Sequence, residues 1–216
     1  MNKTSTRVLT ALILVIGGVA VWQLWLRHNE AGPLAVSPNE FSGWTLVASD
    51  GTDPWVVAMK PRDTLTSILF REASRRAGRT LIAPPHTALP LVLRSEFDEG
   101  LQGVYGTDSV LRIARDAGIE DEPFAPVCLA HRRADGPSGP EDVYFVPFTS
   151  SAFNQMRVDL TPTEPEHAGI GVYEPGTLTP ILIVGASEAS FDRWWPLQFD
   201  PANDCEASLG SAQQGR

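Results

Sequence analysis

Residues 63–119 read DTLTSILFREASRRAGRTLIAPPHTALPLVLRSEFDEGLQGVYGTDSVLRIARDAGI, which contains the clearest secondary-structure pattern of the chain. It opens with a segment in which apolar residues recur at helical spacing. The apolar face of this segment consists of Leu65, Ile68, Leu69 and Ala73. Asp63 is a favourable residue for the amino end of a helix, and Gly78 is favourable for its carboxyl end. The pattern therefore predicts a helix from Asp63 to Gly78.

A second helix is predicted from Thr107 or Asp108 to Gly118. Its apolar face consists of Val110, Leu111, Ala114 and Ala117. The short runs with strand character around the two helices are residues 44–48, 55–60, 80–83 and 89–94. Because neither helix can bury its apolar stripe alone, both are expected on one face of a small sheet.

The second half of the chain, residues 120–216, is rich in β-type runs and prolines. Two such runs flank RADGPSGPE (133–141), which predicts a hairpin with a mobile loop. MRVDL (156–160), GIGVYE (169–174) and TPILIVG (179–185) are further strand candidates. The aromatic group that follows them consists of Phe191, Trp194, Trp195 and Phe199.

Residues 8–26 read VLTALILVIGGVAVWQLWL and contain no charge, which is long enough for a transmembrane helix. No good cleavage site follows, so we predict an uncleaved signal anchor. Lys3 and Arg7 precede the span and favour a cytoplasmic amino terminus. The residues assigned to the anchor are Trp22 and Trp25 at the headgroup level and Gly17 and Gly18 within the span. The predicted localisation is therefore the bacterial inner membrane, single-pass, with a periplasmic C-terminal domain.

These features predict an α+β fold class with an N-terminal transmembrane helix, a small two-helix/sheet domain and a β-rich C-terminal half. The expected segments are a cytoplasmic N-terminus (1–7), a transmembrane anchor (8–26), a stalk (27–42), an α+β docking domain (43–124), a β-rich domain (125–206) and a disordered tail (207–216).

The chain of 216 residues carries 26 acidic residues against 17 Lys and Arg, a formal net charge of −9. An acidic surface repels phosphate backbones, so no nucleic-acid partner is expected. Cys128 and Cys205 are the two cysteines, and an oxidising compartment favours a disulfide between them over two free thiols. Cys128 and His131 have the spacing of half a zinc site, but no second pair completes it, so no metal is expected.

Residues 55–125 resemble the short N-terminal (STN) domain shared by secretins, TonB-dependent receptors and iron-dicitrate-type membrane signal transducers. The residues at comparable places are Leu65, Leu69, Ala77, Gly78, Val92, Leu111, Ala114, Gly118 and Ile119. The sequence departs from that pattern in the long segment SEFDEGLQGVYGT (95–107), and no secretin, plug or barrel domain follows it. The resemblance implies a protein-docking module without an activity of its own.

The best candidate for catalysis is Ser187 in GASEA (185–189), directly after a strand-like run. A nucleophile elbow places its serine on such a strand-to-helix turn. That arrangement has its histidine after the serine in the chain, and all four histidines here precede Ser187. An ordinary polar turn is therefore the favoured interpretation, and no catalytic residue is predicted.

Two features are candidates for partner binding. The first is the arginine group Arg71, Arg75, Arg76 and Arg79, which either pairs with local acids or docks a carboxylate-rich partner or anionic lipid. The second is the pair Trp194 and Trp195, which belongs mostly to the core but could leave one indole for a partner.

The expected function is a non-enzymatic, single-span membrane-anchored accessory or adaptor subunit of an inner-membrane protein complex. Its expected partners are other membrane or periplasmic proteins and the bilayer, through residues 8–26, and no cofactor is expected. The alternatives are a membrane-tethered serine hydrolase using Ser187, and a periplasmic small-ligand-binding protein with its ligand between the two halves.

Overall fold

Two β-sheets form the framework of the protein in its computed structural model, which describes residues 32–137, 139–162 and 173–211. The strands are β1 (Leu34–Val36), β2 (Thr45–Ala48), β3 (Trp55–Lys60), β4 (Leu89–Leu93), β5 (Ala125–Pro126), β6 (Cys128–Gly136), β7 (Gly139–Thr149), β8 (Ile181–Ala186) and β9 (Cys205–Ser211). The helices are α1 (Asp63–Ala77), α2 (Arg94–Glu96), α3 (Thr107–Asp116), α4 (Ser151–Asp159) and α5 (Pro201–Asp204). Single 3-10 turns lie at Pro38–Phe41 and Phe191–Trp194, and α2 continues into a wider turn at Phe97–Leu101.

The larger sheet is built around β7, which pairs antiparallel with β6 on one edge and with β8 on the other. β9 pairs antiparallel with β6, and β1 pairs parallel with β9, while the two-residue β5 pairs with the end of β7. The smaller sheet has the antiparallel order β2-β3-β4. One hydrophobic cluster contains residues of both sheets, among them Val92 of β4 and Phe145 of β7. Residues 34–211 of the described chain therefore share a core.

The two helices predicted from residues 63–119 are confirmed. The buried face of α1 includes the predicted Leu65, Leu69 and Ala73, and the helix ends at Gly78, whose φ of 63° is left-handed. Its N-cap residue is Arg62, so Asp63 occupies the first helical position instead of the cap. α3 likewise is followed by a left-handed glycine, Gly118.

The predicted strand MRVDL is wrong, because these residues lie in and just after α4. The Oγ of Ser150 accepts a hydrogen bond from the backbone N–H of Phe153, which satisfies one of the free donors at the start of the helix. The buried side chains recur at helical and not at strand spacing: Ala152, Phe153, Met156, Arg157 and Leu160. The predicted run 80–83 is also reduced, to one bridge between Ile82 and Ala186 of β8.

Arg157 of α4 is fully buried, and its guanidinium uses all five N–H groups. Two bond the two carboxylate oxygens of Glu96, at 2.6 and 2.9 Å. The other three bond the backbone carbonyls of Leu91, Glu174 and Pro175, at 3.1–3.3 Å. This one side chain therefore joins α4 to β4, to α2 and to the segment that leads into β8.

The predicted disulfide is confirmed: Cys128 and Cys205 are bonded, with 5.7 Å between their Cα atoms. It connects the first residues of β6 and β9. β1 lies in the stretch predicted as a stalk, and β9 includes Ala207–Ser211 of the stretch predicted as a tail. The predicted hairpin is present as β6 and β7, whose strands continue to Gly136 and Gly139. The boundary between two domains at residues 124 and 125 stays a prediction.

The predicted transmembrane helix is not among the described elements. No helix within residues 32–137, 139–162 and 173–211 combines the length and apolar character needed to cross a bilayer. The predicted span, residues 8–26, lies outside the described residues. On this finding the fold class is corrected to a mixed α/β arrangement of two sheets and five helices in the described chain, and the predicted single-pass localisation in the inner membrane is not supported.

Gly185 of β8 allows α1 to approach the larger sheet closely. A Cβ at this position would lie 3.1 Å from the ring of Phe70 on α1 and 3.3 Å from the carbonyl oxygen of Ile82. The glycine that the sequence offered as part of a nucleophile elbow therefore has a packing role.

Replacing Gly185 with alanine should lower the free energy of unfolding by about 1–3 kcal/mol, because the added methyl group overpacks the contact with Phe70. Gly103→Ala is the matched control, since a Cβ there meets nothing within 4 Å, and it should change stability by no more than about 0.5 kcal/mol. Urea unfolding followed by circular dichroism measures both. A Gly185→Ala variant as stable as the parent would contradict the close approach.

Candidate functional site

Asp142 of β7 is the centre of a group of polar side chains on the larger sheet. It is buried, and its carboxylate accepts a hydrogen bond from Nε2 of His131, at 2.9 Å, and forms an ion pair with Arg79. Its backbone N–H donates to Oγ of Ser187, and its carbonyl accepts from the N–H of Ser187, both at 2.9 Å. A buried carboxylate requires such partners, because an unpaired charge in the interior is strongly unfavourable.

His131 lies on β6 directly opposite Tyr144 of β7. The two rings are stacked, with their centroids 4.6 Å apart. Nδ1 of His131 lies 4.0 Å from the carboxylate of Glu206 on β9. Strand alternation and the pairing of β6 with β7 place His131, Asp142 and Tyr144 on one face of the sheet. Together with Arg79 and Glu206, which contact Asp142 and His131, they form what we call the Asp142 cluster: Arg79, His131, Asp142, Tyr144 and Glu206.

The Asp142 cluster lowers the pKa of His131. Burial is the main cause, since it disfavours the charged ring; Glu206 opposes it, and the cations Arg133 and Arg79 add to it. The neutral ring must donate from Nε2, because the carboxylate of Asp142 only accepts. Nδ1 is therefore left as an acceptor. Burial, and next the negative charge of Glu206, raise the pKa of Tyr144, whose hydroxyl stays protonated.

The four predicted arginines are in three different environments. Arg75 and Arg76 both bond Glu72, at 2.7 and 2.8 Å, and their hydrogen bonds hold the pKa of Glu72 below its usual value, with Arg75 the largest cause. Arg76 is buried, whereas Arg75 is exposed. Arg79 is bound to Asp142, and Arg71 is exposed.

Arg133 of β6 extends this group of cations. It is exposed and stands opposite Asp142 in the register of β6 and β7, so it neighbours Arg79. Arg71 and Arg75 are one helical turn apart on the exposed side of α1, and Arg79 follows the end of that helix at Gly78. We call the resulting surface the arginine face: Arg71, Arg75, Arg79 and Arg133. It is a positive surface on a chain whose net charge is −9.

The other predicted partner-binding residues, Trp194 and Trp195, are buried with 5% and 4% of their surface exposed. Both belong to the main hydrophobic cluster, as does Phe191. The structure thus places both indoles in the core. The residues predicted for the anchor, Trp22, Trp25, Gly17 and Gly18, lie outside the described residues.

Ser187 and His131 both contact Asp142, but they do so through different groups. Ser187 is bonded to the backbone of Asp142 and His131 to its carboxylate, and within the described chain no hydrogen bond joins the serine to the histidine. A serine nucleophile needs a base within hydrogen-bonding reach. The described residues also contain no group of three His, Cys, Asp or Glu side chains that could hold a metal ion.

Sequence reasoning missed Asp142, Tyr144 and Glu206. A signal for Asp142 exists in EDVYFVPF (141–148), where two acids begin a run that is otherwise almost wholly apolar. A carboxylate that enters a buried strand requires a cationic partner from elsewhere in the fold. Identifying that partner as Arg79 needs the packing of α1 on the sheet, which local sequence does not contain.

Comparison with known proteins adds no identity: the chain matches no protein-family model, no curated protein and no solved structure. The STN-like resemblance therefore stays a prediction. Of the order of elements on which it rests, β3, α1, β4 and α3 follow one another, but the strand predicted at residues 80–83 is reduced to the bridge at Ile82.

The low pKa of His131 predicts a loss of stability in acid. Because the unfolded chain binds a proton at the ordinary pKa of about 6.5 and the folded chain only below it, the free energy of unfolding should decrease as pH falls through this range. His131→Gln removes the titrating ring, so this part of the decrease should disappear. Urea unfolding of both proteins between pH 7.5 and pH 5 measures the difference, in which the other titrating groups largely cancel.

Equal pH dependence of the free energy of unfolding in the two proteins would contradict the lowered pKa of His131. So would a parent protein whose advantage over His131→Gln grows as the pH falls, because that result requires a raised and not a lowered pKa.

Proposed function

We propose that this protein is a non-enzymatic accessory subunit whose arginine face docks a carboxylate-rich segment of a partner protein. The observation that supports this most directly is the grouping of four exposed guanidinium groups on a chain with a net charge of −9. Most of the surface of such an acidic chain repels an acidic partner, whereas the arginine face attracts it. Charge complementarity of this kind determines orientation and partner choice.

The arginine face has free capacity for carboxylates. Arg71 and Arg133 are exposed and form no ion pair with any described residue. Arg75 and Arg79 are bound to Glu72 and Asp142, yet 55% and 40% of their side-chain surfaces remain exposed. Arginine is suited to this role because its planar group presents parallel N–H donors that match a carboxylate.

The polar side chains of the Asp142 cluster support a binding role more than a catalytic one. His131 and Arg79 are both engaged by Asp142, and the hydroxyl of Ser187 accepts a backbone hydrogen bond. In this arrangement the cluster holds Arg79 in place, and the strand register puts Arg133 opposite Asp142.

The test is the binding of a fluorescent peptide of alternating Glu and Gly, measured by anisotropy with the full-length chain at low ionic strength. The variant Arg71→Glu/Arg133→Glu should weaken binding at least tenfold, which is about 1.4 kcal/mol, because two attractions become repulsions. Arg112→Glu/Arg115→Glu is the matched control: it reverses two exposed arginines on α3 and should change the affinity less than about threefold. Salt should weaken binding to the parent protein.

Four results would contradict the proposal. A peptide with Gln in place of Glu should not bind, and equal binding would exclude carboxylate recognition. Equal weakening by Arg112→Glu/Arg115→Glu would show that only net charge matters. Tighter binding to anionic phospholipid vesicles than to the peptide would replace a protein partner with a lipid surface. Covalent labelling of Ser187 by a fluorophosphonate would contradict the non-enzymatic part.

A further inference from the structure

A cavity of about 320 Å³ lies on the smaller sheet, on the face turned away from the main core. Strand alternation shows which face this is: Val57 and Met59 of β3 belong to the main hydrophobic cluster, whereas Ala58 between them belongs to a separate small cluster. That second cluster contains Trp55, Ala58, Ala88 and Val47. The turn at residues 85–87 covers the cavity from one side.

Trp55 lines the cavity and has a hydrogen-bond donor that no described residue uses. Its side chain is almost wholly buried, at 4% exposure, and it forms part of the cavity wall. Its Nε1–H meets no acceptor among the described residues, whereas that of Trp44 donates to the carbonyl of Glu40 at 3.1 Å. Nε1 of Trp55 also differs from Nε1 of Trp195, because only the latter is enclosed in the core. A ligand in the cavity can therefore supply the acceptor that this accessible N–H lacks within the described chain.

Two unpaired charges of opposite sign border the same cavity. Lys60 is the last residue of β3, and Asp63 is the first residue of α1. Both are exposed, and within the described chain neither forms an ion pair. The third titratable residue at the cavity, His86, already bonds Asp53 at 2.7 Å.

We propose that this cavity binds a free α-amino acid with an apolar side chain. Such a ligand carries a carboxylate for Lys60 and the indole N–H of Trp55, and an ammonium group for Asp63. Its side chain fills the apolar part of the cavity against Val47 and Ala88. A concave site that combines apolar side chains with several polar groups, and a volume near the lower end of the usual range, suits a small ligand that is itself part polar and part apolar. This site is distinct from the arginine face and independent of the proposed docking.

The test uses the full-length chain labelled with ¹⁵N at its indole nitrogens, to which L-leucine is added in a titration. Trp55→Phe identifies the Trp55 resonance by its disappearance. L-leucine should shift this resonance saturably, and both Lys60→Met and Asp63→Asn should weaken binding about tenfold, the loss of one charged contact. Arg62→Met is the matched control, because Arg62 is an exposed cation between these residues that does not line the cavity, and it should leave the affinity unchanged.

Two analogues separate the charges of the ligand. 4-Methylpentanoate lacks the ammonium group of leucine, and 3-methylbutylamine lacks its carboxylate, so each should bind at least tenfold more weakly. The proposal is overturned if L-leucine at about 10 mM leaves the Trp55 resonance unmoved. It is also overturned if 4-methylpentanoate binds as tightly as leucine, or if the Lys60 and Asp63 variants bind like the parent.

Discussion

The guanidinium of Arg157 lies where α4, the edge of β4, α2 and the segment before β8 converge. Each of its five N–H groups has an acceptor, and its partner Glu96 also accepts the backbone N–H of Leu93. The ring of Tyr173 stacks on the guanidinium at 4.6 Å, and its hydroxyl donates to the carbonyl of Arg157. A buried charge with this many partners fixes the relative positions of the elements that carry those partners. Its removal leaves a buried carboxylate and several carbonyls without donors. The relative placement of four elements therefore depends on one side chain.

Both proposed binding surfaces depend on the placement of α1. Asp63 at its first position borders the cavity, and Arg79, two residues beyond its last, holds Asp142 beneath the arginine face. The helix is fixed between these points by Phe70, which packs on Gly185 of β8. Because β8 follows the segment that Arg157 holds, the buried ion pair and the two surfaces belong to one connected structure. Each surface nevertheless uses its own residues, so failure of one proposal leaves the other standing.

The parts of the fold that the sequence predicts are those in which apolar residues alone carry the pattern. α1 and α3 have regular stripes and a glycine at or just past their ends, and both were predicted within a few residues. α4 was mistaken for a strand because Arg157, a charged residue, occupies a fully buried position of its inner face, which removes the helical stripe from the pattern. Ser150 is a favourable N-cap residue and does indicate the start of a helix, but one capping residue is a weaker signal than an apolar stripe. The Asp142 cluster and the Trp55 cavity could not be predicted, since each combines residues from elements that meet only in the folded chain.

A double-mutant cycle on Arg157 and Glu96 tests the central claim most directly, with free energies of unfolding measured in urea. Arg157→Met should destabilise the protein by about 3–5 kcal/mol, because it leaves the carboxylate of Glu96 buried without its partner. In Arg157→Met/Glu96→Gln the loss should be smaller than the sum of the two single losses by at least about 1.5 kcal/mol. A cost below about 1 kcal/mol for Arg157→Met, or additive losses, would show that the fold does not depend on this ion pair.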